Sequence, residues 1–350
     1  TSANQWSVLT QYPMYSLKPE RTNSFEIGFN ARFLKYFELD ATYYNAKTEN
    51  QTFNPQLPIN KYSKMYIQTG SVRNQGIELA LNFENTWRNF TWMSGLTYSM
   101  NKNKIESLAD NVINSITGEL FSIPSLDMGG YADLRFILRE GGSMGDLYSR
   151  TDLRRDANGA IYMDESNNVY TQKIDNPDSY IKLGSVLPKG NLAWRNNFMW
   201  KNFHVGFMIS ARLGGVVFSR TQAVLDKFGV SEASADARDN GFVLINGNDR
   251  INPENWYTTV GSTAVPQYYT YSATNVRLQE ASIGYTIPRK WLANICDIKV
   301  SLIGRNLWMI YNKAPFDPEA VASTDNFYQG IDNFMMPSLR NVGFSLNFKF

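Results

Sequence analysis

The chain of 350 residues holds one cysteine and one histidine. Cys296 has no second cysteine to pair with, which excludes an internal disulfide and a Cys-based metal site. His204 alone cannot build the usual zinc sites or a Ser-His-Asp set, so it reads as a plain polar residue of its strand. No stretch approaches the about twenty apolar residues that a membrane-spanning helix needs, and the mean hydropathy of −0.36 excludes a helical membrane protein. A net charge of +2, from 34 Lys and Arg against 32 Asp and Glu, gives no basic surface for nucleic acid. Gly141-Gly142 and Gly214-Gly215 lack a following Lys-Ser/Thr and read as bends rather than phosphate loops. The run 154–168 begins faintly like a calcium loop, with Asp156, Asn158 and Gly159, but the full ligand spacing is not met and Asp-x-Asn-Gly is a turn signal. The opening TSANQWSVLTQYP has neither a Met nor the apolar stretch of a signal peptide, which reads as a start that is not native. Neither a catalytic constellation, a cofactor nor a metal is expected.

What is present is alternation. In SLRNVGFSLNFKF (338–350), Val342, Phe344, Leu346, Phe348 and Phe350 share one face and Gly343, Ser345, Asn347 and Lys349 the other. Period-two patterning over about ten residues, apolar outside and polar inside, is the mark of a transmembrane β-strand, and a terminal Phe350 suggests the C-terminal assembly signal of an outer-membrane barrel. The soluble alternative is an edge strand of a sandwich with one buried face.

The pattern recurs. Phe25 to Phe33 turns at Leu34–Tyr36 into Phe37 to Tyr43, and Ile77 to Phe83 pairs with Phe90 to Met100 around Trp87-Arg88-Asn89. Leu192 to Trp200 pairs with Phe203 to Ala211 across Lys201-Asn202, and 274–287 returns through 288–295 as Ile298, Val300 and Leu302. A phase shift near Glu280-Ala281 predicts a β-bulge. Short turns all fall at one end, and long connections (47–72, 103–189, 214–273 and 311–338) at the other, as in bacterial barrels with short periplasmic turns and long extracellular loops. A sandwich has no reason to sort its loops by length. The expectation is all-β, an antiparallel transmembrane barrel wall occupying 1–350. Its nine strands are an odd count that leaves an open edge in lipid, so other strands must complete it. Trp87, Trp200 and Trp291 suit a girdle at the short-turn rim, with Tyr98 and Tyr311 at the opposite one. Phe136, Leu138 and the GDLY stretch predict extra strands inside 103–189.

Several segments also carry a resemblance. LKPERTNSFEIG (17–28) is similar to the Leu-x-Pro-Glu stretch ahead of a barrel strand in TonB-dependent outer-membrane transporters. GGSMGDLYSR (141–150), ARDNG (237–241), INPENWY (251–257), NVRLQEASIGYTIP (275–288) and SLIGRNLWMIYNKAPFDPEA (301–320) resemble, in order, the C-terminal region of the SusC/RagA-type branch. That resemblance implies the last nine strands of a 22-stranded barrel, with the plug, the TonB-contacting segment and the first strands outside this chain. It implies active import of a bulky nutrient, a glycan or a peptide, under a SusD-like surface lipoprotein in the outer membrane.

Two groups of residues are candidates for binding. On the loops, Trp256, Tyr257, Tyr268, Tyr269, Asp325, Phe327 and Tyr328 set aromatic faces beside acid groups, which suits a sugar ring or another bulky solute. Packing within the loops, or contact with the lipoprotein, would use the same residues. On the wall, Glu26, Arg32, Glu78, Glu84, Arg212, Arg277 and Arg305 face inward if the registers hold, because a charge facing lipid near mid-membrane costs about 2–4 kcal/mol. They would line a channel or hold the plug. A passive pore or surface-adhesion barrel is the alternative reading, and a barrel enzyme is disfavoured by the single histidine.

Overall fold

In a computed structural model, the described residues are 11–12, 18–53, 64–65, 67–113, 120–261, 264–293, 295–325 and 328–350. Nine strands build one sheet in chain order: β1 (Arg21–Phe33), β2 (Phe37–Phe53), β3 (Ile67–Trp87), β4 (Phe90–Ser107), β5 (Gly190–Trp200), β6 (Phe203–Leu213), β7 (Asn275–Ile287), β8 (Asp297–Asn312) and β9 (Asn341–Lys349). Every neighbouring pair is antiparallel, so the sheet is an up-and-down meander with β1 and β9 at its edges.

The registers follow the alternation. Ile77 opposes Met100, Leu79 opposes Tyr98 and Leu81 opposes Leu96, which places three apolar pairs on one face of the β3–β4 hairpin. Trp200 opposes Phe203, and Phe198 opposes Val205. The predicted bulge is in β7: Ile209 pairs with Leu278 and Met208 with Glu280, leaving Gln279 as the extra residue that resets the phase.

The apolar face is bare. Phe25, Ile27 and Phe29 are about 60% exposed and Phe344 is 79% exposed, and the row continues through Leu79, Trp194, Val205 and Leu302. Monomeric soluble proteins rarely expose contiguous apolar patches beyond a few hundred Å². Along β4 the row runs from Phe90 to Met100. At about 3.3 Å per residue and a tilt of about 45°, that is roughly 25 Å, the height of the lipid-facing band of a barrel. Aromatic rings line its lower edge beside the short turns: Phe33 stacks on Phe37 at 5.3 Å, Trp87 on Phe90 at 6.0 Å, and Trp200 on Phe203 at 6.5 Å. Trp291 is exposed beside the last short turn.

Two polar residues interrupt the band, and each has an oxygen that accepts from a neighbouring indole. Trp92 Nε1 donates to Asn196 Oδ1 at 3.0 Å, and Trp194 Nε1 donates to Ser94 Oγ at 3.0 Å. Asn196 is 1% exposed. Asn196→Ala is expected to cost about 1–3 kcal/mol, the penalty of leaving the Trp92 N–H without its acceptor away from water. The double change with Trp92→Phe removes both partners and should cost less than the sum of the single changes. Urea unfolding of the barrel in detergent micelles or vesicles measures the cycle, and strict additivity would refute the coupling.

The wall strands exceed their predicted length. β2 continues to Phe53, β3 begins at Ile67 and β4 reaches Ser107, so the connections expected at 47–72 and 103–189 are shorter. Residues such as Lys47, Thr48, Asn101 and Lys102 carry no apolar row, because a strand pair standing above the lipid needs none. Cross-strand polar pairs hold it instead: Asn74 Oδ1 accepts from Asn101 at 3.1 Å and from Asn103 at 2.9 Å, and Glu106 pairs with Arg73 at 2.5 Å and Lys47 at 3.4 Å.

The long connections fold together as a cap with its own core. An antiparallel four-stranded sheet forms from Ser125–Tyr131, Leu134–Arg139, Asp146–Ser149 and Ile181–Ser185. Helices α1 (Arg220–Lys227), α2 (Glu232–Asn240) and α3 (Pro253–Val260) follow from capping residues. Ser219 and Ser231 cap α1 and α2, Gly241 ends α2 at φ +79°, and Asn252 before Pro253 starts α3 by accepting the Glu254 N–H at 2.8 Å. Phe136, Leu138, Leu147, Phe218, Ile251 and Trp256 are buried in one cluster with Phe53, Val72 and Ile105 from the tops of β2–β4. The GGSMG turn is fastened to the same place, with Gly142 O accepting the Ile105 N–H at 2.9 Å and Asn103 Oδ1 accepting the Met144 N–H at 2.7 Å.

Candidate functional site: the polar wall face and its cap

Strand pairing puts Glu26, Arg32, Glu78, Glu84, Arg212, Arg277 and Arg305 on the face opposite the apolar band. Glu78 opposes Thr42 and Ser99, and Arg212 opposes Asn191 and Asn275, so the row of polar side chains crosses the sheet. Among the described residues, two cavities of more than 600 Å³ open on this face. One of about 710 Å³ lies low, among Arg32, Glu38, Asn82, Glu84, Arg195 and Asn197. The other, of about 640 Å³, lies below the cap among Asp40, Glu78, Asn191, Ser210, Arg212 and Glu319.

The charges on this face do different things. Arg32 meets Glu38 at 3.3 Å and Arg305 meets Glu280 at 3.0 Å, both exposed pairs of the kind that contribute little stability. Arg212 donates to Val186 O at 2.7 Å and so braces the root of the cap. Arg277 is engaged within the chain instead of standing free for a plug. Its guanidinium forks onto Asp317 at 2.8 and 3.1 Å and also reaches Asn275 Oδ1, with Glu319 at 3.2 Å. The side chains of Arg277 and Asp317 are both largely buried. Burial alone would raise the Asp317 carboxyl, but hydrogen bonds from Arg277, Ser338 and the Glu319 N–H outweigh it and hold the group below the usual carboxylate range.

The loop aromatics are not one site. Trp256, at the border of the cap core, packs edge-on against Tyr268 at 5.3 Å, and Tyr269 is 2% exposed. Burial, with Asp226 nearby, pushes the Tyr269 phenol well above its ordinary range and Tyr271 up to about 12. Trp256 and Tyr269 are both buried in the cap core, where a helix start and a 3₁₀ turn place them. Tyr257 donates to Ala233 O at 3.2 Å and lines a 250 Å³ cavity between the helices. Tyr268 and Tyr328 remain exposed, Tyr328 beside Asp325, whose carbonyl accepts the Tyr328 N–H at 3.2 Å. Phe327 lies outside the described residues.

The Asp-rich run 154–168 uses its carboxylates as backbone acceptors. Asp156 Oδ1 accepts the N–H groups of Asn158 and Ala160 at 2.8 and 3.0 Å. Asp164 accepts the N–H groups of Ser166 and Asn168 and the Tyr170 hydroxyl at 2.6 Å. The Tyr170 hydroxyl first, then Asn168 and Ser166, lower the Asp164 carboxyl to about 2. Because the folded value lies below the ordinary one of about 3.9, this turn gains stability that is complete above about pH 4 and is lost as pH falls through about 2. Proteolysis within 154–170 is expected to accelerate over that window in the wild type, and Asp164→Asn should cleave faster at neutral pH with a flatter response to acid. Among the described residues no group of three or more His, Cys, Asp or Glu could hold a metal ion. His204 Nε2 lies 2.9 Å from Thr286 Oγ1 on the polar face.

The sequence model of the family described as TonB dependent receptor-like, beta-barrel, matches residues 3–307. The chain belongs to this family. Among relatives, TonB-dependent receptor P3 of Formosa agariphila is 27% identical over 98% of the chain, and TonB-dependent receptor P26 of the same organism is 26% identical over 95%. The chain spans 35% and 34% of their lengths, about a third. Solved structures of the RagAB peptide importer, in closed-closed and open-open states, match 95% of the chain with TM-scores of 0.66 and 0.63 at 17% identity. At that identity the likeness establishes the fold: a β-barrel wall whose apolar face meets lipid and whose polar face turns inward. Both wall cavities open on that polar face, and the cap stands at the end of the sheet from which the long connections emerge.

Two elements of the site escaped the sequence reading. Asp317 and Glu319 serve as anchors for Arg277 rather than as loop acids for a ligand. Lys182, Lys189 and Gln267 line a polar cleft in the cap. The clue to that cleft lay in Thr270, Ser272 and Thr274, hydroxyls at a period of two.

Proposed function

We propose that this chain forms wall and cap of an outer-membrane importer for a bulky oligomeric nutrient, an oligosaccharide or an oligopeptide. The observation that supports it best is the division of labour in the fold. The wall has no core of its own, one face for lipid and one polar face with cavities, while the cap has a separate core that fixes polar clefts above the interior. A passive pore needs only the wall.

In this reading solute binds at the cap and upper wall, and no covalent step is involved. The remaining two-thirds of the protein completes the barrel, fills it with a plug and connects it to TonB. A SusD-like surface lipoprotein closes over the cap, consistent with the two-component name of the RagAB structures. Glu26, Arg32, Glu84 and Arg305, which carry no strong internal anchor, face the plug. The test is uptake by cells carrying the intact gene, with and without a protonophore. Uptake that stops when the proton-motive force collapses supports the importer, and uptake that continues unchanged refutes it in favour of a passive pore.

A further inference from the structure

A cleft of about 730 Å³ separates the segment 181–189 from the segments 214–216 and 267–274. Its volume is within the range of ligand sites, roughly 300–1,000 Å³. Ile181–Ser185 is the outermost strand of the four-stranded cap sheet, and Thr270–Ser272 is the outermost strand of a second, three-stranded sheet with Val216–Ser219 and Ile331–Asp332. Two sheet edges thus flank one cleft, and each strand pairs on one side only among the described residues.

The lining has a consistent chemistry. Its charged members are Lys182 and Lys189, with no carboxylate among them. Lys182 is fixed in place by buried Asp146 at 2.5 Å, whereas Lys189 is exposed. Thr270, Tyr271, Ser272 and Thr274 line the cleft; Thr270 and Ser272 stand two residues apart on one strand, roughly 6.6–6.8 Å, the dipeptide repeat of an extended chain, and Thr270 Oγ1 donates to Pro266 O at 2.9 Å. Thr274 Oγ1 accepts from Gly214 N at 2.9 Å and Ser272 Oγ from Thr274 N at 3.3 Å, so both hydroxyl protons remain to be donated. Gln267 is held the right way round, because its Nε2 donates to Asp152 Oδ1 at 2.8 Å and to Thr151 O at 3.2 Å. Its Oε1 is left buried and without a partner. A buried acceptor of fixed orientation is a hydrogen-bonding capacity that the described residues do not fill.

We infer that this cleft binds an acidic oligopeptide in extended conformation, its backbone added to a sheet edge, an N–H near Gln267 Oε1 and a carboxylate at Lys189. This rests on the importer reading and selects the peptide from its two solute classes. Strand addition supplies main-chain hydrogen bonds, and the alternate side chains and lysines supply selectivity.

The test is equilibrium binding to the purified full-length receptor in detergent. The probes are a fluorescent octapeptide of alternating Glu and Ser, its Lys counterpart, and an oligogalacturonate as acidic saccharide. The Glu peptide is expected to bind best, and Lys189→Glu to weaken it about tenfold, the loss of one charge-assisted hydrogen bond. Gln267→Leu, which removes the orphan acceptor, should weaken both peptides alike. Heat-modified mobility on gels verifies that each variant folds. Preference for oligogalacturonate, or unchanged peptide affinity in Lys189→Glu, overturns the inference. Binding needs neither TonB nor a membrane potential, so a failure here and a failure of protonophore-sensitive uptake are told apart.

Discussion

Arg277→Ala is expected to destabilise the protein by about 3–5 kcal/mol, the cost of stranding one member of a buried ion pair. The reason lies in what remains. Asp317 would keep its hydrogen bonds from Ser338 and the Glu319 N–H but lose the guanidinium that compensates its burial. Asn275 would lose its donor on Oδ1 while its Nδ2 stays tied to Ala273 O and Glu319. Because this cluster is where the last long connection meets the wall, cleavage by protease between 313 and 340 should accelerate first. The pairing also gives a sign for pH. Asp317 is held below the ordinary carboxylate range, so its contribution is complete above that range and fades as pH falls through the lowered value. Replacing both partners, Arg277→Met with Asp317→Leu, should recover much of the loss, since two apolar groups leave no buried charge behind. If Arg277→Ala unfolds in urea at the wild-type midpoint, the cluster is not the anchor.

The wall was legible because lipid writes a simple code. One face must be apolar over the membrane thickness and the other polar, so period-two rows such as Val342 to Phe350 set strand, face and register together. Even the bulge at Gln279 left a phase shift to read. The strand ends were not legible. Above the lipid a strand pair is polar on both faces, and Asn74, Asn101 and Asn103 carry the ladder through side-chain bonds that no hydropathy pattern displays. The cap was legible only in fragments. Its helices are eight or nine residues long, set by single caps such as Ser219 and Asn252, and their apolar sides close on a core assembled from three separate connections and the tops of three wall strands. That assembly is why Trp256 and Tyr269, aromatic residues on an outward loop by sequence, are packing residues in space. It is also why Asp317 answers Arg277: forty residues separate them, and only the fold brings them together.

Phe136→Ala tests whether wall and cap are distinct cooperative units. Phe136 is fully buried in the cap sheet, beside Leu134 and Leu138, in the same cluster as Phe218 and Trp256. Truncating a buried Phe costs about 3–5 kcal/mol, from lost transfer energy and the cavity left behind. None of that cavity touches the lipid-facing band, where stability comes from closure of the ladder and from lipid contact. Among the described members of the cluster, Phe53, Val72 and Ile105 are those that belong to wall strands, at the tops of β2, β3 and β4. Denaturation of Phe136→Ala should therefore split into two steps, with protease sites opening in 108–189 at low urea while the barrel keeps its folded mobility on unheated gels. A single transition shifted as a whole would show instead that the upper strands couple cap to wall, and that the cap cannot open without loosening β2–β4 above the membrane. That coupling would in turn make the Asn74, Asn101 and Asn103 ladder the route by which events at the cap reach the barrel interior.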